Sequence, residues 1–243
     1  MADKTPKPIR PDARVPGQQG GSIADFVAKV DALSRERRNT GAPAGGKGRL
    51  LFALDATMSR QPTWDLACQL QAEMFKAVSG IGALKVQLLY FRGFGECRAS
   101  KWVDDANGLA RLMTGLECRG GHTQISKVLA HARAEHSREK INAVVYVGDA
   151  MEENVDSLAQ KAGELGLLGC PMFLFQEGYD QTAERAFREF ARLTKGAYAR
   201  FDTSASRELA ALLRAVAAYA TGGREALRLQ QGSPAQKLLA QLG

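Results

Sequence analysis

The sequence predicts an α/β domain built as a three-layer, doubly wound, mostly parallel sheet with one antiparallel edge strand. Two observations carry this. From residue 49 onward, apolar runs of strand length alternate with amphipathic stretches of helix length, the order expected of parallel strands joined by covering helices. At 243 residues the chain can bury one sizeable core and is too short for two domains of ordinary size.

Residues 1–22 are rich in Pro, Lys, Arg and Gly and read as a disordered tail. Over 23–38, Ile23, Phe26, Val27, Val30 and Leu33 recur at roughly helical spacing, which predicts a short amphipathic helix. Its end carries Arg35, Arg37 and Arg38, where cations complement the helix dipole. The stretch 39–48 includes GAPAGGKG at 41–48 and breaks every periodicity, so it reads as a flexible linker. It also imitates a phosphate-binding loop, but Gly48 stands where Ser or Thr would hold magnesium, and a strand follows the loop instead of preceding it.

The domain itself is expected over 49–222. Strands are predicted at 50–55, 84–91, 141–147, 171–175 and 198–201, with an edge strand at 96–103. Helices are predicted at 62–78, 124–137, 155–165, 182–194 and 206–219, and Trp64, Met74 and Phe75 fall on the first of them at spacings that suit packing on the sheet. The segment 223–243 reads as a loosely attached helical tail.

Residues 1–21 lack the apolar core of a secretory signal, and no stretch approaches the roughly 20 apolar residues of a membrane helix, so a cytoplasmic location is expected. Cys68, Cys97, Cys118 and Cys170 form no C-x-x-C pair, which argues against a zinc site or a disulfide scaffold. The net charge of +7 is uneven: residues 1–48 hold nine Lys and Arg against five Asp and Glu, and 223–243 hold three against one. The folded part is left nearly neutral, which disfavours nucleic-acid binding by the core.

Chemistry concentrates at strand ends. Asp55-Ala56-Thr57-Met58-Ser59 follows the apolar run 50–54 directly, at the edge of the sheet where open α/β folds bind ligands. If the chain stays extended there, the side chains at 55, 57 and 59 point the same way. A second run, 143–147, ends in Gly148-Asp149, and Gly120-Gly121-His122-Thr123 presents a hydroxyl just before a helix. Two carboxylates and three hydroxyls are hard oxygen donors, which suit Mg²⁺ or Mn²⁺ better than zinc. His122 neighbours this set, while His131 and His136, five apart on a helix, read as ordinary surface residues.

In this order the five residues resemble the metal-ion-dependent adhesion site (MIDAS) of the von Willebrand factor A (VWA) family, whose pattern is D-x-S/T-x-S, then a Thr, then an Asp. The resemblance covers about residues 49–222, and FARLTKGAY at 190–198 is similar to the family's late passage from helix to strand. It implies that Thr57, Ser59 and Thr123 are hydroxyl ligands of a divalent ion and that Asp55 and Asp149 are carboxylates acting largely through water. An Asp or Glu of a partner protein would complete the coordination. Thr57 stands where many members have Ser, and Ala150 follows Asp149 where Gly is frequent; neither departure removes a ligand.

The resemblance is to intracellular, bacterial-type members without catalysis of their own, some serving AAA-type ATPase complexes, which implies an adaptor or assembly role. Two other readings remain. A metal-dependent hydrolase or phosphotransferase would use Asp55 or Asp149 as base or nucleophile, although the chain shows no nucleophile–base pair and no D-x-D-x-T pattern. A scaffold would bind through the 23–38 helix and the basic tails, leaving the metal site vestigial.

Overall fold

Gly48–Asp55, a run with every residue buried, forms the central strand β2, and the other elements assemble on either side of it. The computed structural model describes residues 7–8, 48–60, 84–104, 116–201, 206–230 and 232–242. The expected helices at 23–38 and 62–78, the linker up to residue 47, and Trp64, Cys68, Met74 and Phe75 lie outside these residues.

The strands are β1 (Lys7–Pro8), β2, β3 (Leu84–Arg92), β4 (Glu96–Ala99), β5 (Ala143–Gly148), β6 (Met172–Glu177) and β7 (Ala197–Phe201). The described helices are α1 (Ile125–Arg138), α2 (Val155–Leu167), α3 (Gln181–Leu193), α4 (Ser206–Arg228) and α5 (Ser233–Leu239). Asn154 and Asp180 start α2 and α3 as side-chain caps, accepting from the N–H groups of Ser157 (2.9 Å) and Ala183 (2.5 Å).

The sheet order is β1-β4-β3-β2-β5-β6-β7. Strands β3, β2, β5, β6 and β7 run parallel, β4 is antiparallel to β3, and the two-residue β1 extends the sheet beyond β4. The chain builds outward from β2 through β3 to β4, then returns to the other side of β2 with β5. That reversal makes the β2/β5 boundary the topological switch point, the place where open α/β sheets bind ligands at the carboxyl ends of their strands.

Alternation along β2 divides the core in two. Leu50, Phe52 and Leu54 face one apolar layer with Leu212, Leu213 and Val216 of α4, while Leu51 and Ala53 face the other with residues of α1, α2 and α3. The central strands are buried on both faces, which is why they read as continuous apolar runs.

Three expectations are corrected. The edge strand ends at Ala99, not at 103: Ser100 turns its hydroxyl onto the Leu88 N–H (3.0 Å), and pairing resumes only with Val86 opposite Val103, one residue out of register. The extra residue is a β-bulge. The segment after Gly223 is docked, not loosely attached. Gly222 and Gly223 kink α4, Gly223 at a φ of 64°, and the chain folds back so that Leu227, Leu238 and Leu242 join the core. The Gln241 side chain then accepts from the Tyr198 N–H and donates to the Tyr198 carbonyl, both at 2.9 Å, covering the β7 edge as a strand would.

The third correction is His131, which is buried. Gln87 donates through Nε2 to the Ser100 carbonyl (2.9 Å), so its Oε1 accepts from His131 Nε2–H at 2.9 Å and holds the neutral tautomer. Burial lowers the His131 pKa below the usual 6.5; the Glu135 carboxylate pulls it up, and Arg138 pushes it further down. The unfolded chain therefore binds a proton that the folded chain refuses, and stability present above pH 6.5 is lost as the pH falls through 6.5 toward the depressed value. Thermal unfolding between pH 7.5 and 5.5 should show a steeper loss for the natural chain than for His131→Gln. Parallel profiles would contradict a buried neutral imidazole.

Candidate metal centre

The candidate residues lie on elements that end at or run past the switch point. Asp55 is the last residue of β2, and Leu54 lies opposite Val147 of β5, so Asp149 leaves the adjacent parallel strand at the same edge. Beyond Asp55 the chain does not stay extended: Met58–Arg60 form a 3₁₀ turn. Convergence comes instead from an Asx-type turn in which the Thr57 N–H donates to Asp55 Oδ1 at 2.8 Å, with Thr57 Oγ1 and Ser59 Oγ then 3.0 Å apart. Asp55 and Thr57 are buried and Ser59 is exposed.

Backbone pairing fixes the turn. The Ala56 N–H donates to the Phe91 carbonyl of β3 (3.0 Å), and the Ala56 carbonyl accepts from the Arg119 N–H (3.1 Å), so the 116–124 loop runs alongside Thr57. Gly121 in this loop packs against Gly93 so closely that a Cβ would sit 2.1 Å from the Gly93 oxygen.

Thr123 reaches the site through residues that sequence reasoning missed. Glu152 Oε2 accepts from the Thr123 N–H (2.9 Å) and sits 3.2 Å from His122 Nδ1, while the Glu152 N–H donates back to Thr123 Oγ1 (3.1 Å). Glu153 caps α1 by accepting from the N–H groups of Ile125 and Ser126. Burial raises its pKa and those two N–H bonds lower it, with the balance above the usual value. The signal available was a pair of carboxylates between Asp149 and the Asn154 cap, at the exit of a strand already thought functional.

Thus Asp55, Thr57 and Ser59 form one hydrogen-bonded chain, Thr123 is tied to the segment that follows Asp149, and sheet register brings Asp149 to the same edge. Among the described residues there is no group of three or more His, Cys, Asp and Glu suited to a metal, so an ion here would depend on hydroxyls. The donor set fits one: every candidate ligand is a hard oxygen, and Asp149 Oδ1 is buried with no hydrogen-bond partner among the described residues. Asp55, Thr57, Ser59, Thr123 and Asp149 would hold the ion, whose chemistry would be Lewis-acid attraction for an anionic oxygen.

Comparison with known proteins agrees with this architecture. No family model and no curated protein matches the chain, but solved structures do. The SpRpn10 VWA domain superposes with a TM-score of 0.57 at 12% identity, over 68% of this chain and 95% of that one. An aerotolerance-related membrane protein from Bacteroides fragilis gives 0.52 at 17%, over 68% and 96%. Proximal thread matrix protein 1 from the mussel byssus, solved with a zinc-occupied MIDAS motif, gives 0.58 at 14%, over 71% of this chain and 46% of that one. At such identities the likeness is one of fold. The chain has a von Willebrand factor A-type fold.

Proposed function

We propose that this chain is a protein-binding module that holds Mg²⁺ or Mn²⁺ through Asp55, Thr57, Ser59, Thr123 and Asp149 and uses the ion to bind an Asp or Glu of a partner. The observation that carries the reading is an Asp149 oxygen, buried and without a hydrogen-bond partner among the described residues, at the same sheet edge as the Asp55–Thr57–Ser59 chain. A buried carboxylate oxygen without a hydrogen bond is costly, by about 1–3 kcal/mol, and is kept where something else is to occupy the site. The mussel protein with its zinc-occupied MIDAS supports a divalent ion on this fold.

The reading gives the edge a binding role and assigns it no catalysis. It places the module in the cytoplasm as an adaptor or assembly factor, with an AAA-type ATPase complex as one candidate machine. No helix among the described residues is long and apolar enough to cross a membrane. The test is recovery of partners from a lysate of the source cells, in Mg²⁺ and in EDTA, with the natural chain and with Thr57→Ala. A partner retained only by the natural chain in Mg²⁺ is expected. Partners indifferent to both changes would move recognition to the tails.

A further inference from the structure

Beside the candidate metal centre lies a patch that the metal does not use. The β3–β4 hairpin places Phe94 at its tip, 85% exposed, and gathers three arginines around one acid. Glu96 sits 3.0 Å from Arg92 Nε, 3.1 Å from Arg98 Nε and 3.7 Å from an Arg119 guanidinium nitrogen. Arg92 is spent internally: it is nearly buried and also donates to the Glu117 carbonyl (2.7 Å). Arg98 and Arg119 have side chains 46% and 59% exposed. With Lys127, which donates to the Gly95 carbonyl at 3.0 Å, the patch gathers four cations near the one Glu96 carboxylate.

The patch is continuous with the oxygen cluster. Arg119 pairs through its backbone with Thr57. Phe94 stacks edge-on against His122 (5.4 Å between centroids), His122 contacts Glu152, and Glu152 is bonded to Thr123. A ligand seated at Thr57 and Thr123 would therefore border an exposed aromatic ring and two guanidiniums that share the single Glu96 carboxylate with Arg92.

We propose that Phe94, Arg98 and Arg119 form a second subsite that receives an acidic side chain and a neighbouring apolar one from an extended segment of the partner protein. This rests on reading the edge as a protein-binding site. Asp55 lies opposite Phe91, and Phe91 opposite Cys97, so Arg98 stands two strands away from β2. At about 4.8 Å per strand the separation is ~10 Å, the reach of roughly three extended residues. The segment carries one Asp or Glu for the ion, a second about three residues away, and an apolar side chain between or beside them for Phe94. Nucleic acid fits less well, because Glu152 and Asp149 border the patch and a strand would need cations along its whole track.

The test is selection of a phage-displayed random peptide library on the full chain in Mg²⁺ at low salt, followed by affinity measurement of the selected peptides. Paired acids at that spacing should be enriched. Their affinity should fall about tenfold or more with Arg98→Glu/Arg119→Glu, and their salt dependence should flatten. If that double variant melts early, Arg98→Gln/Arg119→Gln with Phe94→Ser replaces it. Peptides lost in EDTA but indifferent to the arginine changes would overturn the subsite while leaving the metal reading intact. Peptides sensitive to the arginines but indifferent to EDTA would support the subsite and contradict the metal reading. Selection without acidic enrichment, or an oligothymidylate binding with the same arginine dependence, would overturn the inference.

Discussion

Asp149→Ala is expected to abolish divalent-ion binding and, in EDTA, to leave the protein more stable than the natural chain. The second half of that result distinguishes a functional carboxylate from a structural one. Asp149 Oδ1 is buried without a hydrogen-bond partner among the described residues, so the ion-free fold is expected to bear a penalty of about 1–3 kcal/mol that Ala removes. For a domain of this size that corresponds to a rise of roughly 2–12 °C in the unfolding midpoint. In Mg²⁺ the order should reverse. An ion present at about 1,000 times its dissociation constant stabilises the natural chain by about 4.1 kcal/mol, more than the penalty, and leaves the variant unmoved. Differential scanning of both proteins with and without Mg²⁺ reads all four values. A variant less stable in EDTA would mean that Asp149 supports the fold and not a ligand.

Gly196→Ala should prevent the chain from folding to a stable state. Gly196 stands between α3 and β7, where the backbone passes the start of β6, and a Cβ there would lie 1.8 Å from the Met172 carbonyl oxygen. The obstructing atom is backbone in the interior of the sheet, flanked by the register Phe173 opposite Ala197, so no side chain can swing aside. Relief requires opening the β6–β7 pairing. Its cost is on the order of the 5–15 kcal/mol that holds a typical domain together. Gly163→Ala is the matched control: it lies inside α2 with nothing within 4 Å of the added atom, and should stabilise by about 0.5–1 kcal/mol. Soluble yield and urea midpoints separate the two. Equal behaviour would contradict the β6–β7 packing.

These cases show what could be read from the chain beforehand. Strands β2, β5 and β6 are legible because burial on both faces leaves an uninterrupted apolar run, and α2 and α3 because amphipathic stretches of helix length follow two of those runs. The candidate site was legible as residue types at strand ends, but not in the way it closes. Extended alternation would bring 55, 57 and 59 to one side; the structure instead uses an Asx-type turn and a 3₁₀ turn, which depend on where Asp55 Oδ1 finds a donor. Glu152, Glu153 and Gln241 were missed because each acts on a backbone far away in sequence, on Thr123, Ile125 and Tyr198, and carries no local periodicity. His131 looked superficial because the polar partner that lets it be buried, Gln87, lies 44 residues earlier. The bulge after Ala99 turns on one hydroxyl, Ser100 Oγ, taking a ladder donor.

The account stands on an ion bound at the β2/β5 edge, and the direct measurement is titration of the purified full chain with Mn²⁺, followed by electron paramagnetic resonance. One Mn²⁺ bound per chain is predicted, displaced by excess Mg²⁺ and lost in both Asp149→Ala and Thr57→Ala. A chain that binds no Mn²⁺, or binds it unchanged in both variants, would contradict it.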